Sequence, residues 1–218
     1  MHRSLVCLLG LLAACQPTSR ESAAPAGQAA APDAPAAGAA GWQINPADGV
    51  QATARGDTLT LVTGPHALAW RADEPALTPP YQVEATLHKR SGGLHEGYGL
   101  VFGGEPLQGP ESAQHYSYFL VRGDGSYLLK RREGAQTPVV RDWTAHPAVR
   151  RDEGATAFPH RLRVQVDTAG ATFFVNGQQV TRVPAAELRL AGRAGVRVSH
   201  NLTLDVSGFS AAASAPSP

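Results

Sequence analysis

The chain has 218 residues, 43% of them hydrophobic, with 19 Lys and Arg against 18 Asp and Glu and a formal net charge of +1. So even a balance supplies no strong field toward nucleic acid or anionic lipid, which excludes partners captured by net charge alone. The only cysteines are Cys7 and Cys15, so everything beyond the N-terminal region lacks both a disulfide and a thiolate metal site.

Met1-His2-Arg3 is a basic start, and Ser4 to Leu12 is an apolar stretch of signal-peptide length, too short to span a bilayer as a stable helix. The run Leu12-Ala13-Ala14-Cys15 that ends it resembles the lipobox of bacterial lipoproteins. The resemblance implies that residues 1–14 are a signal peptide and that Cys15 becomes the first residue, its sulfur carrying diacylglycerol. Each buried methylene contributes about 0.8 kcal/mol, so two acyl chains hold firmly where one does not. The expectation is a protein of the cell envelope whose partner, through Cys15, is the membrane. Gln16 in place of Asp after the cysteine points to the outer membrane, facing periplasm or surface. The competing reading is ordinary cleavage nearby, leaving Cys15 as a stray thiol.

Residues 15–41 form the lipidated cysteine and linker of this reading; from Pro17 the chain runs "PTSRESAAPAGQAAAPDAPAAGAAG", with no large apolar group to bury, and Pro17, Pro25, Pro32 and Pro35 interrupt any alanine-rich helix. This is a tether, and residues 212–218 repeat its character as a tail. Between them the stretch 42–211, about 170 residues, is one domain with ample core.

Within that domain the rhythm is period two. "YQVEATLHK" sets Tyr81, Val83, Ala85 and Leu87 on one face, and "RLRVQVD", "AGVRVS" and "LTLDVSGF" alternate in the same way. "YGLVFGG", "HYSYFLVR" and "ATFFVNG" are apolar on both faces, as central strands are. Asn176-Gly177 is a strong hairpin signal because both residues tolerate positive φ. The two Arg-Gly-Asp tripeptides, at 55–57 and 122–124, read as chain reversals. Roughly a dozen short strands with no sustained helical spacing predict an all-β, two-sheet antiparallel sandwich.

The succession "YGLVFGG", "YSYFLVRGDGSYLL", "RLRVQVDTAGATFFVNGQQV", "AGVRV" and "LTLDVSGF" resembles the concanavalin A-like lectin/glucanase jelly roll, of which LamG-like modules are one form. It covers about residues 81 to 209, and less clearly 42 to 80. The resemblance implies a curved sheet with a concave face. It does not choose among lectins, hydrolases and adhesion modules, which share the fold.

Hydrolysis of a glycoside needs two placed carboxylates. The Glu-x-Asp-x-x-Glu strand of the glucanases in this superfamily is absent, as is the Asn-Ser-Gly strand of the related 3-keto-disaccharide hydrolases, so no catalytic residue is assigned. An acid/base pair drawn from distant segments would use Glu96, Glu111 or Asp142. The histidines show no metal-ligand spacing, and neither a G-x-S-x-G elbow nor an EF-type loop occurs. No cofactor and no metal is expected from side-chain motifs. A structural calcium held by backbone carbonyls and one Asp would leave no trace in a single sequence.

Binding needs less apparatus. On "HYSYFLVR", Tyr116, Tyr118 and Leu120 share the face opposite Phe119, and tyrosine tolerates a wet surface better than phenylalanine. The expectation places Tyr116 and Tyr118 on the concave surface as stacking faces for a glycan, with Lys130 and Arg132 beside them and Trp143 and His95 on flanking loops. The favoured function is therefore a lipid-anchored, non-catalytic, carbohydrate-binding module. A glycoside hydrolase, or a structural and protein-interaction module of the envelope, are the alternatives. The anchor predicts that Cys15→Ser moves the protein from the membrane to the soluble fraction or leaves an uncleaved precursor. A mature product with a free amino end beyond residue 15 would contradict it.

Overall fold

The computed structural model describes residues 41–153 and 157–214, so the expected signal peptide, Cys15 and nearly all of the expected linker lie outside the described residues. Fourteen strands follow in chain order: β1 (Trp42–Asn45), β2 (Val50–Arg55), β3 (Thr58–Thr63), β4 (Ala67–Arg71), β5 (Tyr81–Ser91), β6 (Tyr98–Gly104), β7 (His115–Arg122), β8 (Ser126–Glu133), β9 (Val139–Ala145), β10 (His160–Asp167), β11 (Gly170–Val175), β12 (Gln178–Pro184), β13 (Arg193–Val198) and β14 (Thr203–Ala213). Two 3₁₀ turns, at Glu111–Ala113 and Ala185–Glu187, are the only helical elements among the described residues.

The strands form two seven-stranded antiparallel sheets. The first runs β1-β4-β13-β6-β7-β8-β9, and the second β12-β11-β10-β5-β14-β3-β2. Alternation fixes which face each residue takes. Tyr98, Leu100 and Phe102 on β6, Phe119 and Val121 on β7, and Val196 and Val198 on β13 pack inward against Val83, Ala85 and Leu87 on β5, Leu162 and Val164 on β10, and Phe173 on β11. The two-sheet sandwich expected from the alternation is therefore present.

The turns do what their residues require. Asn176 and Gly177 both have positive φ, at 50° and 84°, and close the β11–β12 hairpin. Asn176 also accepts a hydrogen bond from the Arg161 N–H at 2.9 Å and donates to the Ala148 carbonyl at 2.9 Å, tying the hairpin to its surroundings. Both Arg-Gly-Asp tripeptides lie at hairpins, β2–β3 and β7–β8. Two boundaries differ from the sequence reading. Trp143 lies on the edge strand β9 instead of a loop, because β9 is bulged and its sequence VVRDWTA, with Val139 and Val140 adjacent, keeps no clean alternation. Ala212 and Ala213 belong to β14, paired with Gln82 and Tyr81, where the composition reads as tail.

One end of the core is polar. The buried His160 ring lies with Nδ1 3.1 Å from the Tyr98 hydroxyl, and its Nε2 accepts from the Arg150 N–H at 3.0 Å. That acceptor role fixes a neutral imidazole with its proton on Nδ1. Beside it Lys89 and Asp152 form a buried ion pair at 2.5 Å. Gly123 leaves room for this pair, since a Cβ there would lie 2.1 Å from the Asp152 carboxylate.

Burial pushes His160 down from 6.5 to about 4. Because the folded value is below the unfolded one, the stability it contributes is complete above pH 6.5 and is lost as pH falls through 4. The loss is about 3 kcal/mol across that window. Urea midpoints measured from pH 7 to 4 should fall accordingly, and His160→Gln should remove most of the slope above pH 4. An unchanged slope in the variant would contradict the buried neutral imidazole.

Candidate functional site

Residues of the first sheet that point away from the core do not simply meet solvent. Leu68 and Trp70 on β4, Val101 on β6, Tyr116, Tyr118 and Leu120 on β7, Leu128 on β8 and Leu107 from the β6–β7 connection form a second buried apolar cluster, with Trp143 packed against it. The connection folds over part of this face. Asn45 and Gln114 each donate to the carbonyls of Leu107 and Gly109, at 2.8–3.2 Å, and hold it there.

Charged groups sit on this floor. The Tyr116 hydroxyl accepts from Arg132 Nε at 3.2 Å and from an Arg197 guanidinium nitrogen at 3.0 Å. Arg197 also lies over the Tyr118 ring at 5.2 Å. Gly99, directly cross-strand from Arg197, leaves nothing standing between that guanidinium and Leu120. The glycine is also required by crowding, since a Cβ would lie 1.9 Å from the Phe119 carbonyl oxygen. The Glu111 carboxylate, presented by the 3₁₀ turn, pairs with Arg132 at 3.1 Å and with the Nε2 of His66. The His66 Nδ1 is 3.3 Å from His200 Nε2, and His200 Nδ1 is 3.8 Å from the Glu96 carboxylate. Two carboxylates are thus strung together through two imidazoles.

The electrostatics follow from this arrangement. Burial, together with the Arg197 charge, lowers the His66 value despite its contact with Glu111. Neutral His66 donates from Nε2 to Glu111 and accepts at Nδ1 from His200. Burial works to raise the Glu111 carboxyl, but its hydrogen bond to His66 and the charges of Arg132 and Arg197 outweigh it, leaving the group below the usual carboxylate range. Burial pushes the Tyr118 phenol up, so it stays protonated.

The expected residues fall in two groups on this one face. Tyr116 pairs cross-strand with Arg132, and Tyr118 with Lys130, so those four converge. Trp143 and His95 lie toward the other end of β7, joined through Arg122 and Asp124: Arg122 covers the Trp143 ring at 4.1 Å and pairs with Asp124 at 2.7 Å, which is 3.6 Å from the exposed His95. The tyrosines take the expected face but not the expected exposure. Tyr116 is fully buried and Tyr118 is 5% exposed, because Arg132, Arg197 and Leu107 lie over or beside them. They form a floor and cannot serve as open stacking platforms.

The sequence reading missed Arg197 and His66. Alternation in "AGVRVS" already turns Arg197 outward, whereas His66, at the mouth of β4, shows no pattern at all. Of the carboxylates considered for acid/base work, Glu96 and Glu111 reach the cluster, while Asp142 is exposed on β9, its carboxylate accepting from the Trp143 N–H at 2.8 Å. Among the described residues no three His, Cys, Asp or Glu side chains converge as a metal site. A separate hollow lined by His146, Arg150 and Phe158 has its aromatic ring already covered by Arg150 at 3.6 Å.

No family model matches the sequence, and no curated protein matches it. Solved structures do match. The carbohydrate-binding module CBM66 from Bacillus subtilis superposes with a TM-score of 0.61 at 9% identity, covering 78% of this chain and 94% of the module. A Bacillus subtilis protein of unknown function with a galectin-like fold gives 0.59 at 13% identity, covering 79% of this chain and 89% of that one. The exoplasmic/lumenal domain of VIP36, in its Ca2+- and mannose-bound form, gives 0.58 at 10% identity, covering 82% and 85%. At such identities the likeness establishes a shared fold, the jelly-roll sandwich, as the sequence resemblance implied.

The neutral His66 predicts a reciprocal pair of shifts. In an NMR titration of the histidine ring protons, Arg197→Gln should raise the His66 value, and Glu111→Gln should lower it further. Values that stay fixed, or move the other way, would contradict the contacts.

Proposed function

We propose that the protein is a carbohydrate-binding module, held at the cell envelope by a lipidated Cys15, and that the outer face of the first sheet is its binding surface. One observation carries the reading. A sheet face outside the core gathers a hydrogen-bonded set of charged and hydroxyl groups over an aromatic floor, with Arg132 only 6% exposed. Buried charge is costly unless it is paired and preorganised, and such arrangements cluster at binding and catalytic sites. Sugars are recognised by a few convergent polar groups set against apolar surface. Lys130, Glu111 and the hydroxyl of Tyr118 would meet the ligand, while Tyr116 and Arg132 hold them in place. The jelly-roll neighbours, among them a carbohydrate-binding module and a mannose-bound domain, support the same reading.

The chain Glu111–His66–His200–Glu96 favours a second reading, glycoside hydrolysis, since it brings two carboxylates to one cluster. A glycan array and a peptidoglycan pulldown separate the two. The binding module predicts retained, unaltered saccharide and about tenfold weaker retention by Tyr118→Ala or Lys130→Ala. The hydrolase predicts turnover abolished by Glu111→Gln. No retention above that of the doubly substituted protein would overturn the binding reading.

A further inference from the structure

The two outer faces of the sandwich differ in charge pairing. On the second sheet most charges are matched where they stand: Glu84 with Arg161 at 2.6 Å, Asp167 with Arg182 at 3.0 Å, and Asp205 with Arg90 at 3.8 Å and with the Thr60 hydroxyl at 2.7 Å. Arg163, over the Phe174 ring at 4.2 Å, is a lone cation there, whereas on the first sheet several gather at one place. On the first sheet, three cations, Lys130, Arg132 and Arg197, gather about Tyr116 and Tyr118 with the single carboxylate of Glu111, which is already engaged by Arg132 and His66. Among the described residues no carboxylate lies within ion-pair distance of Lys130 or Arg197.

The Arg197 guanidinium is half-buried, with a phenol hydroxyl and a ring face as its contacts. Partial burial strips hydration from a charge, and a phenol does not return what a carboxylate would. Lys130, cross-strand from Tyr118, is likewise half-buried. These two cations, on β13 and β8, flank the Tyr118 ring on β7. The chain as a whole carries only +1, so the surplus is local. A local surplus suits one small anionic group, whereas a long polyanion would need an extended basic strip.

Resting on the carbohydrate-binding reading, we infer that the ligand is an acidic saccharide, whose sugar carboxylate seats between Arg197 and Lys130 above Tyr118. The planar fork of Arg197 can take a carboxylate through two parallel hydrogen bonds, and the Lys130 ammonium adds a point charge from the opposite side. Tyr118, a phenol that burial keeps protonated, offers a hydroxyl donor between them. Glu111 sits at the edge of this seat and accepts from sugar hydroxyls; its own charge turns away a second acid group there.

The test is isothermal titration of the full chain in detergent micelles. Oligomers of galacturonate, glucuronate and mannuronate are compared with their methyl esters, which keep the ring and remove the charge. At least one acid should bind roughly tenfold to a hundredfold more tightly than its ester, as loss of a charge-assisted contact implies. That preference should shrink with added salt, and Arg197→Gln and Lys130→Gln should each abolish most of it. Arg161→Gln, on the second sheet, should leave it unchanged. Circular dichroism of each variant confirms folding, and Arg197→Lys, which keeps charge but not the fork, should retain part of the preference. Esters bound as well as acids, with Tyr118→Ala weakening both, would overturn the acidic ligand and leave the carbohydrate reading standing. Absence of binding by every acid and every ester would overturn both. Tight binding of a sulfated oligosaccharide in preference to all three acids would overturn the assignment of a carboxylate.

Discussion

The hydroxyl of Tyr116 is the point on which the outer face of the first sheet depends. It is fully buried, and two guanidinium groups, from β8 and β13, donate to its two lone pairs. A buried phenol that already accepts twice fixes both donors, because moving either one leaves a desolvated charge unmatched. From Arg132 the restraint passes to Glu111 and so to His66, and the connection between β6 and β7 is drawn onto the sheet. One hydroxyl therefore positions groups from strands β7, β8 and β13, the mouth of β4 and a 3₁₀ turn.

Two sets of buried polar groups are built into the sandwich, with different consequences. Around His160 every ring nitrogen is matched inside the core, and the imidazole is held neutral. Such a set fixes packing and makes folding sensitive to acid. The His160 ring's own partners are complete, although the Oδ1 of the neighbouring Asp152 is buried without a hydrogen-bond partner. Around Tyr116 and Tyr118 the matching stops short: Arg197 has a phenol and a ring as neighbours, and Lys130, cross-strand from Tyr118, has no carboxylate within ion-pair distance among the described residues. A set that ends in cations without an ion-pair partner at a partly open surface is where the proposed ligand would be received.

Alternation carried most of the fold. The period of two in β5, β10, β13 and β14 sorted core from surface without ambiguity, and Asn176-Gly177 located a hairpin. Where the pattern fades, so does the reading. Edge strand β9 has one partner and no clean alternation in VVRDWTA, so its sequence around Trp143 reads as a loop. Phe119 against Tyr118 correctly told inside from outside, yet alternation reports direction and says nothing of what lies above a residue. Burial of the tyrosines depends on Arg197, 79 positions away in the chain from Tyr118, and on a connection whose path follows from long-range contacts. The same is true of His66, which reaches Glu111 across 45 positions.

The central claim is that saccharide meets the molecule on the outer face of the first sheet. Backbone amide shifts of the isotopically labelled full chain, recorded as a glycan retained on the array is titrated in, test it most directly. The account predicts saturating changes confined to residues 116–120, 128–132, 195–197 and the turn around Glu111. Changes concentrated on β10, β11 and β5 of the other sheet, with those residues still, would contradict it.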